Sequence, residues 1–460
     1  MAKPQSAADL RKQIAEHQAN LVRLGEAWGQ QVVDALDDAD RATIARLKSM
    51  LDDLSYRRNT AEGAEQLEAI RKKLEQIRLK AYRKAERKLR EEASGLMANE
   101  VKWARRILLA FLGYRFIRGK TITPRSASGD DAELADSWLT EYATARMPEA
   151  FPASAPAAGK AGKSSSSGEE TVLPEKIPDA ISAAEQKRIV RNAVIQDKSW
   201  AGWWTHTADA DVQRIAETVN QGINEGWSID QITARVMGTR AGEFADGTLS
   251  TNRARVRNMA RTICSGIANE AKDAFYRENS DVCIGVEWLD TLDGRTCRHC
   301  ASLSRKRWKT DEPHPVPPVH PNCRCVLLPV TPVSDSADEQ RPAAKADFMA
   351  EARRAYEKKH PGKKWEELAE STRKKYYYDA IHDYEKRTGG PAFELVSGGM
   401  SFKEYFETVM TEQQRKDWLG PERYKLYRKG LKFDDFISPW PLPGMTVKQL
   451  KALDLESFGK

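Results

Sequence analysis

The chain has 460 residues, 40% of them apolar and 31% charged, which suits a folded protein of roughly three domains at about 150 residues each. Its longest apolar run, Ile107–Ile117, is eleven residues broken by Arg115, short of the roughly 18 a membrane span needs. The start, Met1-Ala2-Lys3-Pro4-Gln5-Ser6, lacks the apolar core of a signal peptide, so a secreted or integral membrane protein is not expected.

Residues 1–122 read as an N-terminal helical, coiled-coil-like domain. Proline is absent between Pro4 and Pro124, and helix formers dominate. Leu67, Ile70, Leu74, Ile77 and Ala81 follow the alternating three- and four-residue spacing of a coiled-coil seam. The net charge is only +7, from 74 basic and 67 acidic residues, yet residues 71–90 alone hold ten basic and two acidic side chains. An anionic neighbour is expected for that stretch.

Residues 123–183 are expected to form a flexible linker, rich in proline and containing a Ser-Ser-Ser-Ser-Gly run and an Ala-Pro-Ala-Ala segment. Gly159-Lys160-Ala161-Gly162-Lys163-Ser164 superficially matches the end of a phosphate-binding loop. The first glycine of that motif would fall at Ala157 and no strand precedes it, so no nucleotide site is assigned.

Helical patterning returns over 184–280. Ile215, Val219 and Ile223 share a face, Gly226-Trp227-Ser228 breaks it, and Ser228 can cap a helix carrying Ile229, Ile232 and Val236. A further helix over 252–278 carries Arg253, Arg255, Arg257 and Arg261. Those arginines suit a nucleic acid or an acidic partner face, though a solvated helix face explains them more simply.

All six cysteines (264, 283, 297, 300, 323 and 325) fall in a 62-residue window. In a long chain without a signal peptide, such clustering indicates metal ligation rather than disulfides. Cys297 and Cys300 have the two-residue gap of a zinc knuckle, and His320 and Cys323 supply a second pair three apart. Two such pairs close a tetrahedral structural site, so Cys297, Cys300, His320 and Cys323 are the expected ligands of one structural Zn²⁺ folding a module at 286–330. Cys325 alternates with Cys323 in an extended segment and is the substitute. His299 and His314 are weaker candidates, and Cys264 and Cys283 read as core residues.

Residues 333–347 are expected to be a second linker and 348–460 a helical C-terminal region. Lys358-Lys359, Lys363-Lys364 and Arg373-Lys374-Lys375 suit phosphate contacts or a solvated surface. Tyr376-Tyr377-Tyr378 with Trp365 fits helix core better than a base-stacking platform. The fold class expected is mostly α and multidomain: long N-terminal helices, a helical middle domain, a small α+β zinc-stapled module and a helical C-terminal region.

Trp288, then Asp293-Gly294-Arg295-Thr296-Cys297-x-x-Cys300-x-x-Leu303, then Pro317-Pro318-x-His320-Pro321-Asn322-Cys323-Arg324-Cys325, resembles the signature of tailed-phage head-morphogenesis proteins, the minor head proteins of the Mu F-like type. The family often has a glycine shortly after Leu303, where this chain has Ser304-Arg305. Downstream, Phe402 to Phe436, with Trp418-Leu419-Gly420-Pro421-x-Arg423-Tyr424-x-Leu426-Tyr427, Gly430 and Phe433-Asp434-Asp435-Phe436, is similar to C-terminal segments of such proteins. The resemblance implies a head-morphogenesis domain at 184–332 and a virion component without catalysis. It also implies location at the portal vertex or capsid interior, and help in head assembly, DNA packaging or ejection. Its implied partners are the portal protein and capsid or scaffold proteins, with packaged double-stranded DNA as a candidate and no membrane.

Three rival readings carry less. His320-Pro321-Asn322 with His314 has a faint likeness to a metal-dependent nuclease, but a hydrolytic metal needs an open position and a general base. A toxin-type enzyme after residue 340 would show a nucleophile elbow or nucleotide loop, and none is present. A helix-reading zinc finger is excluded by Pro313, Pro315, Pro317 and Pro318 between the ligand pairs.

Overall fold

The computed structural model describes residues 7–54, 61–111, 115–117, 120–122, 181–241, 244–331, 340–363, 365, 368, 370–438 and 445–458. Nearly all of the expected linker at 123–183 lies outside them.

Two long helices, α1 (Ala7–Leu54) and α2 (Ala61–Phe111), pair along the expected seam as far as Leu74; beyond it the buried face moves by one residue, to Arg78 and Tyr82, and leaves Ile77 and Ala81 half-buried. Ile70 and Leu74 meet Leu47 and Leu51, while further along Tyr82, Ala85 and Leu89 join a core with Leu24, Trp28, Val32 and Leu36. A short antiparallel ribbon, β1 (Arg115–Ile117) with β2 (Lys120–Ile122), follows.

The chain resumes with α3 (Ala183–Asn192) and a two-residue hairpin, β3 (Val194–Ile195) and β4 (Lys198–Ser199). Gln196 and Asp197 both take positive φ (51° and 60°), as such a turn demands. Ser199 caps α4 (Trp200–Asn224) by accepting from the Gly202 amide. Gly226, at φ 72°, ends that helix. Ser228 then forms a reciprocal capping box with Gln231 at the start of α5 (Ile229–Met237), as the sequence indicates.

The next helix, α6 (Thr248–Glu278), is the axis of the molecule. Val256, Ala260, Ile263, Ile267, Ala271 and Phe275 are buried in one core with α1, α2 and α4. Gly25 and Gly29, one turn apart on α1, make this possible. A Cβ on either would lie 2.9 Å from the Cα of Arg261 or Arg257, so only glycine lets the two backbones approach so closely.

Three of the four arginines noted on α6 are tied down, while Arg255 stays exposed. Arg253 pairs with Asp37 and Asp40 of α1, Arg257 donates to Gln30, and Arg261 donates to Asn322. Deeper in, the buried Arg78 guanidinium bonds Asp40 and Asp211, and the Tyr82 hydroxyl donates to Asp211 at 2.9 Å. Four helices thus share one buried ion cluster, which fixes their register.

Beyond α6 the chain forms a three-stranded antiparallel sheet with β5 (Gly285–Leu289) central, flanked by β6 (Arg307–Lys309) and β7 (Val326–Val330). Val286 and Trp288 of β5 enter the main core. A short helix, α7 (Arg298–Leu303), sits between β5 and β6. Arg305, at φ 63°, takes the left-handed conformation near the place where the resembled family often has glycine.

Residues 340–344, within the expected second linker, form the strand β8 (Gln340–Ala344). It pairs with β9 (Phe393–Ser397) across α8 (Phe348–Lys359) and α9 (Glu370–Thr388). Trp365 packs with Tyr356 and Tyr376, and Tyr377 packs on Phe348, so most of the aromatic run is helix core. The C-terminal part is α10 (Phe402–Glu404) continued by a π-helical turn at Tyr405–Val409, then α11 (Glu412–Leu419), α12 (Pro421–Arg428), α13 (Phe433–Phe436) and α14 (Val447–Phe458). The fold is mostly α with a few small sheets and a Cys/His cluster compatible with a zinc module, as the sequence indicates.

Candidate metal centre

The β5–α7 connection carries the first cysteine pair. Asp293 accepts from the Arg295 amide in a tight turn, and Cys297 follows as the residue capping α7, its sulfur accepting from the Cys300 amide at 3.3 Å. An N–H···S bond of this kind both starts the helix and orients Sγ of Cys297 beside that of Cys300. The return segment, 320–325, supplies the second group. Asn322, at φ 59°, turns the chain so that Cys323 comes back toward α7.

Donor atoms of Cys297, Cys300 and His320 lie within 4.8 Å of one another, and so do those of Cys300, Cys323 and Cys325. Cys300 belongs to both groups. Its Sγ is 3.1 Å from His320 Nε2 and 3.7 Å from Cys323 Sγ. Two sulfurs on a tetrahedral zinc stand roughly 3.8 Å apart, given bonds near 2.3 Å. His320 Nδ1 donates to the Pro321 carbonyl at 2.9 Å, which leaves Nε2 as the nitrogen that faces the sulfurs. The donor set therefore fits a borderline-soft divalent ion.

Electrostatics divide the cluster into charged and protonated groups. Hydrogen bonding from Cys300 pulls the Cys297 thiol down to about 4, and bonds to Cys297 and Cys323 hold His320 up at about 11. Cys323 is likewise pulled down, first by Cys300, whereas burial pushes Cys325 up. The same hydrogen bonds push Cys300 up, so the cluster without an ion pairs thiolates at Cys297 and Cys323 with a thiol at Cys300, and metal binding would displace protons from both Cys300 and His320.

The four expected ligands divide between two overlapping groups, Cys297 and His320 with Cys300 in one and Cys323 with Cys300 in the other. Cys325 departs from its expectation. Residues 323–325 are irregular, strand β7 begins only at Val326, and alternation therefore does not turn its sulfur away. His299 stands outside both groups. His314 is committed elsewhere, bonding Asp273 at 2.7 Å and the Glu312 carbonyl at 2.7 Å. Cys264 and Cys283 are buried core residues, as expected.

The support around the cluster was not foreseen. Arg324 forms a bidentate pair with Asp293 at 2.6 Å for both bonds, and Gln18 of α1 donates to the Arg324 carbonyl. From the C-terminal side, the Trp418 indole bonds the Thr296 carbonyl and the Ser438 amide bonds the Arg298 carbonyl. Ser302 donates to the Ser438 carbonyl, and Leu292 and Ala301 share a core with Phe402, Tyr405 and Phe406. Gly294 permits this docking, because a Cβ there would strike the Asp347 carboxylate.

A sulfur-rich, largely buried cluster beside a small sheet, braced by helices on both sides, is a group of donors that could hold a metal ion. Residues 213–328, about a quarter of the chain, are similar to the family model described as Phage Mu protein F like protein. Neither a curated protein nor a solved structure gives a significant match. No helix among the described residues is long and apolar enough to cross a membrane.

Proposed function

We propose that the chain is a minor head protein of a tailed phage, a non-enzymatic virion component at the portal vertex or capsid interior. It would grip the portal protein and capsid or scaffold proteins and assist head assembly, DNA packaging or ejection. The observation that carries this reading is the Mu F-like match over 213–328, which ends just beyond the cysteine cluster. A single structural Zn²⁺ held by Cys297, Cys300, His320 and Cys323 belongs to the same proposal. Cys300, Cys323 and Cys325 are buried and donors outnumber the four positions of a tetrahedral ion, which favours a closed site over one open to water.

Mass spectrometry of virions and empty procapsids, with cross-linking to the portal protein, tests the assignment. Presence in the particle with portal cross-links is expected; absence from both particles overturns it.

A further inference from the structure

On α2, the residues that face inward are Leu74, Arg78, Tyr82, Ala85 and Leu89, all buried. At 3.6 residues per turn, Lys73, Lys80, Lys84 and Arg87 fall within an arc of about 60° on the opposite side, flanked by Arg83 and Lys88. All six are exposed. The basic residues at the ends of this region are neutralised, Arg71 by Glu68 and Arg90 by Glu86. Among the described residues, no carboxylate pairs with any of the six; Lys73 only donates to Gln76 at 3.4 Å. Arg253, Arg324 and Lys374 show the contrast, since each is paired with an acid inside the protein.

We infer that this stripe is a binding surface for the phosphate backbone of duplex DNA. From Lys73 to Lys88 a helix rises about 22 Å, the length of about six phosphates on one strand at 3.4 Å each. Four unpaired cations along one stripe of a rigid helix, with one more on either flank, cover that length. The outer face carries no aromatic side chain between 71 and 90 to stack unpaired bases, since Tyr82 is buried, which favours a duplex over a single strand. Binding would be independent of sequence, because the surface offers only charge. The inference deepens the DNA-packaging part of the proposed function and rests on that reading for its setting, but its test does not.

The test is fluorescence anisotropy of the full chain with a mixed-sequence duplex between 50 and 200 mM salt. Affinity should fall roughly 10²–10³-fold over that range for four to six phosphate contacts. The variant Lys73→Gln/Lys80→Gln/Lys84→Gln/Arg87→Gln should show no more than about a tenfold fall, with unchanged circular dichroism because the four side chains are exposed. A control variant, Lys358→Gln/Lys359→Gln/Lys363→Gln/Lys375→Gln, should keep the steep dependence. No retention of duplex at 50 mM salt overturns the inference. So does a salt dependence that survives the α2 variant or disappears in the control, and so does equal affinity for poly-glutamate at matched salt. DNA binding by a protein absent from virions upholds the stripe and rejects the head assignment; a virion protein without DNA binding does the reverse.

Discussion

The Trp418 indole N–H donates to the Thr296 carbonyl oxygen at 2.7 Å, joining residues 122 positions apart. Thr296 immediately precedes Cys297, so the C-terminal helices hold the very turn that presents the first sulfur. Trp418 also packs against Phe402, Phe406 and Phe433, with ring centroids between 5.3 and 5.8 Å. Trp418→Phe keeps most of that packing and deletes the hydrogen bond, leaving the carbonyl without its donor. A loss of about 1–2 kcal/mol is expected. Denaturant unfolding of the purified protein measures it, and an unchanged midpoint would show that the bond does not brace the turn.

The same coupling makes a prediction about the metal. If the cluster holds one ion, chelation should loosen not only 286–330 but also the segment around 402–438, because Ala301 of α7 lies in the core of Phe402, Tyr405 and Phe406. Hydrogen exchange with and without chelator should show both regions losing protection together. Cys300 lies in both donor groups and Cys325 in one, so Cys300→Ser should reduce zinc content more than Cys325→Ser. Equal zinc content in the two variants would overturn that ranking.

What the sequence disclosed and what it concealed divide along a physical line. The helices and the Ser228 cap were readable because helical periodicity and capping are local. The pairs Cys297/Cys300 and His320/Cys323 were readable as candidate ligands because residues three apart are local too; that Cys300 stands in two donor groups was not. Cys325 was misjudged because alternation presumes a strand, and the strand begins one residue later. The arginines of α6 were read as facing solvent or a partner. Arg253 and Asp40 are 213 positions apart, and nothing in the local pattern announces such a pair. Arg78 could have been noticed, since a charge sits where the seam of Leu74, Tyr82 and Ala85 calls for an apolar residue. Its partner Asp211, 133 positions away, could not.

A third prediction concerns pH. Glu270 is pushed up to about 7 by burial first and then by the neighbouring Asp273 carboxylate, with Arg277 and His314 opposing. A carboxyl whose folded pKa exceeds its unfolded value favours folding while protonated, so stability should decline as pH rises from about 4.5 to 7. Above that range the penalty of the buried charge is fully present. His314, held up by its bond to Asp273 against the effect of burial, acts in the same direction as pH rises. Glu270→Gln removes the ionisable group and should be more stable than the natural protein at pH 8, with little difference at pH 4.5. Urea unfolding at the two pH values is the measurement, and equal stability at pH 8 would exclude a buried charge at this position.

The Asp293–Arg324 pair titrates in the opposite sense. Burial works against ionisation, but the Arg324 guanidinium and the Arg295 amide hold Asp293 down at about 2. Both carboxylate oxygens are used, at 2.6 Å each, and the pair locks the turn before Cys297 to the residue between Cys323 and Cys325. Asp293→Asn keeps the shape and one acceptor but removes the charge, and should cost about 2 kcal/mol at neutral pH. Because the folded pKa is depressed, the natural protein's advantage is present above the unfolded value of about 4 and fades as pH falls toward 2. Arg324→Lys should not restore what is lost, since an ammonium keeps the charge without the planar fork. Unfolding measured at pH 7 and pH 3 for the natural protein and both variants checks the argument: the gap should be widest at pH 7 and narrow at pH 3. A gap independent of pH would mean that Asp293 contributes packing and hydrogen-bond geometry rather than charge.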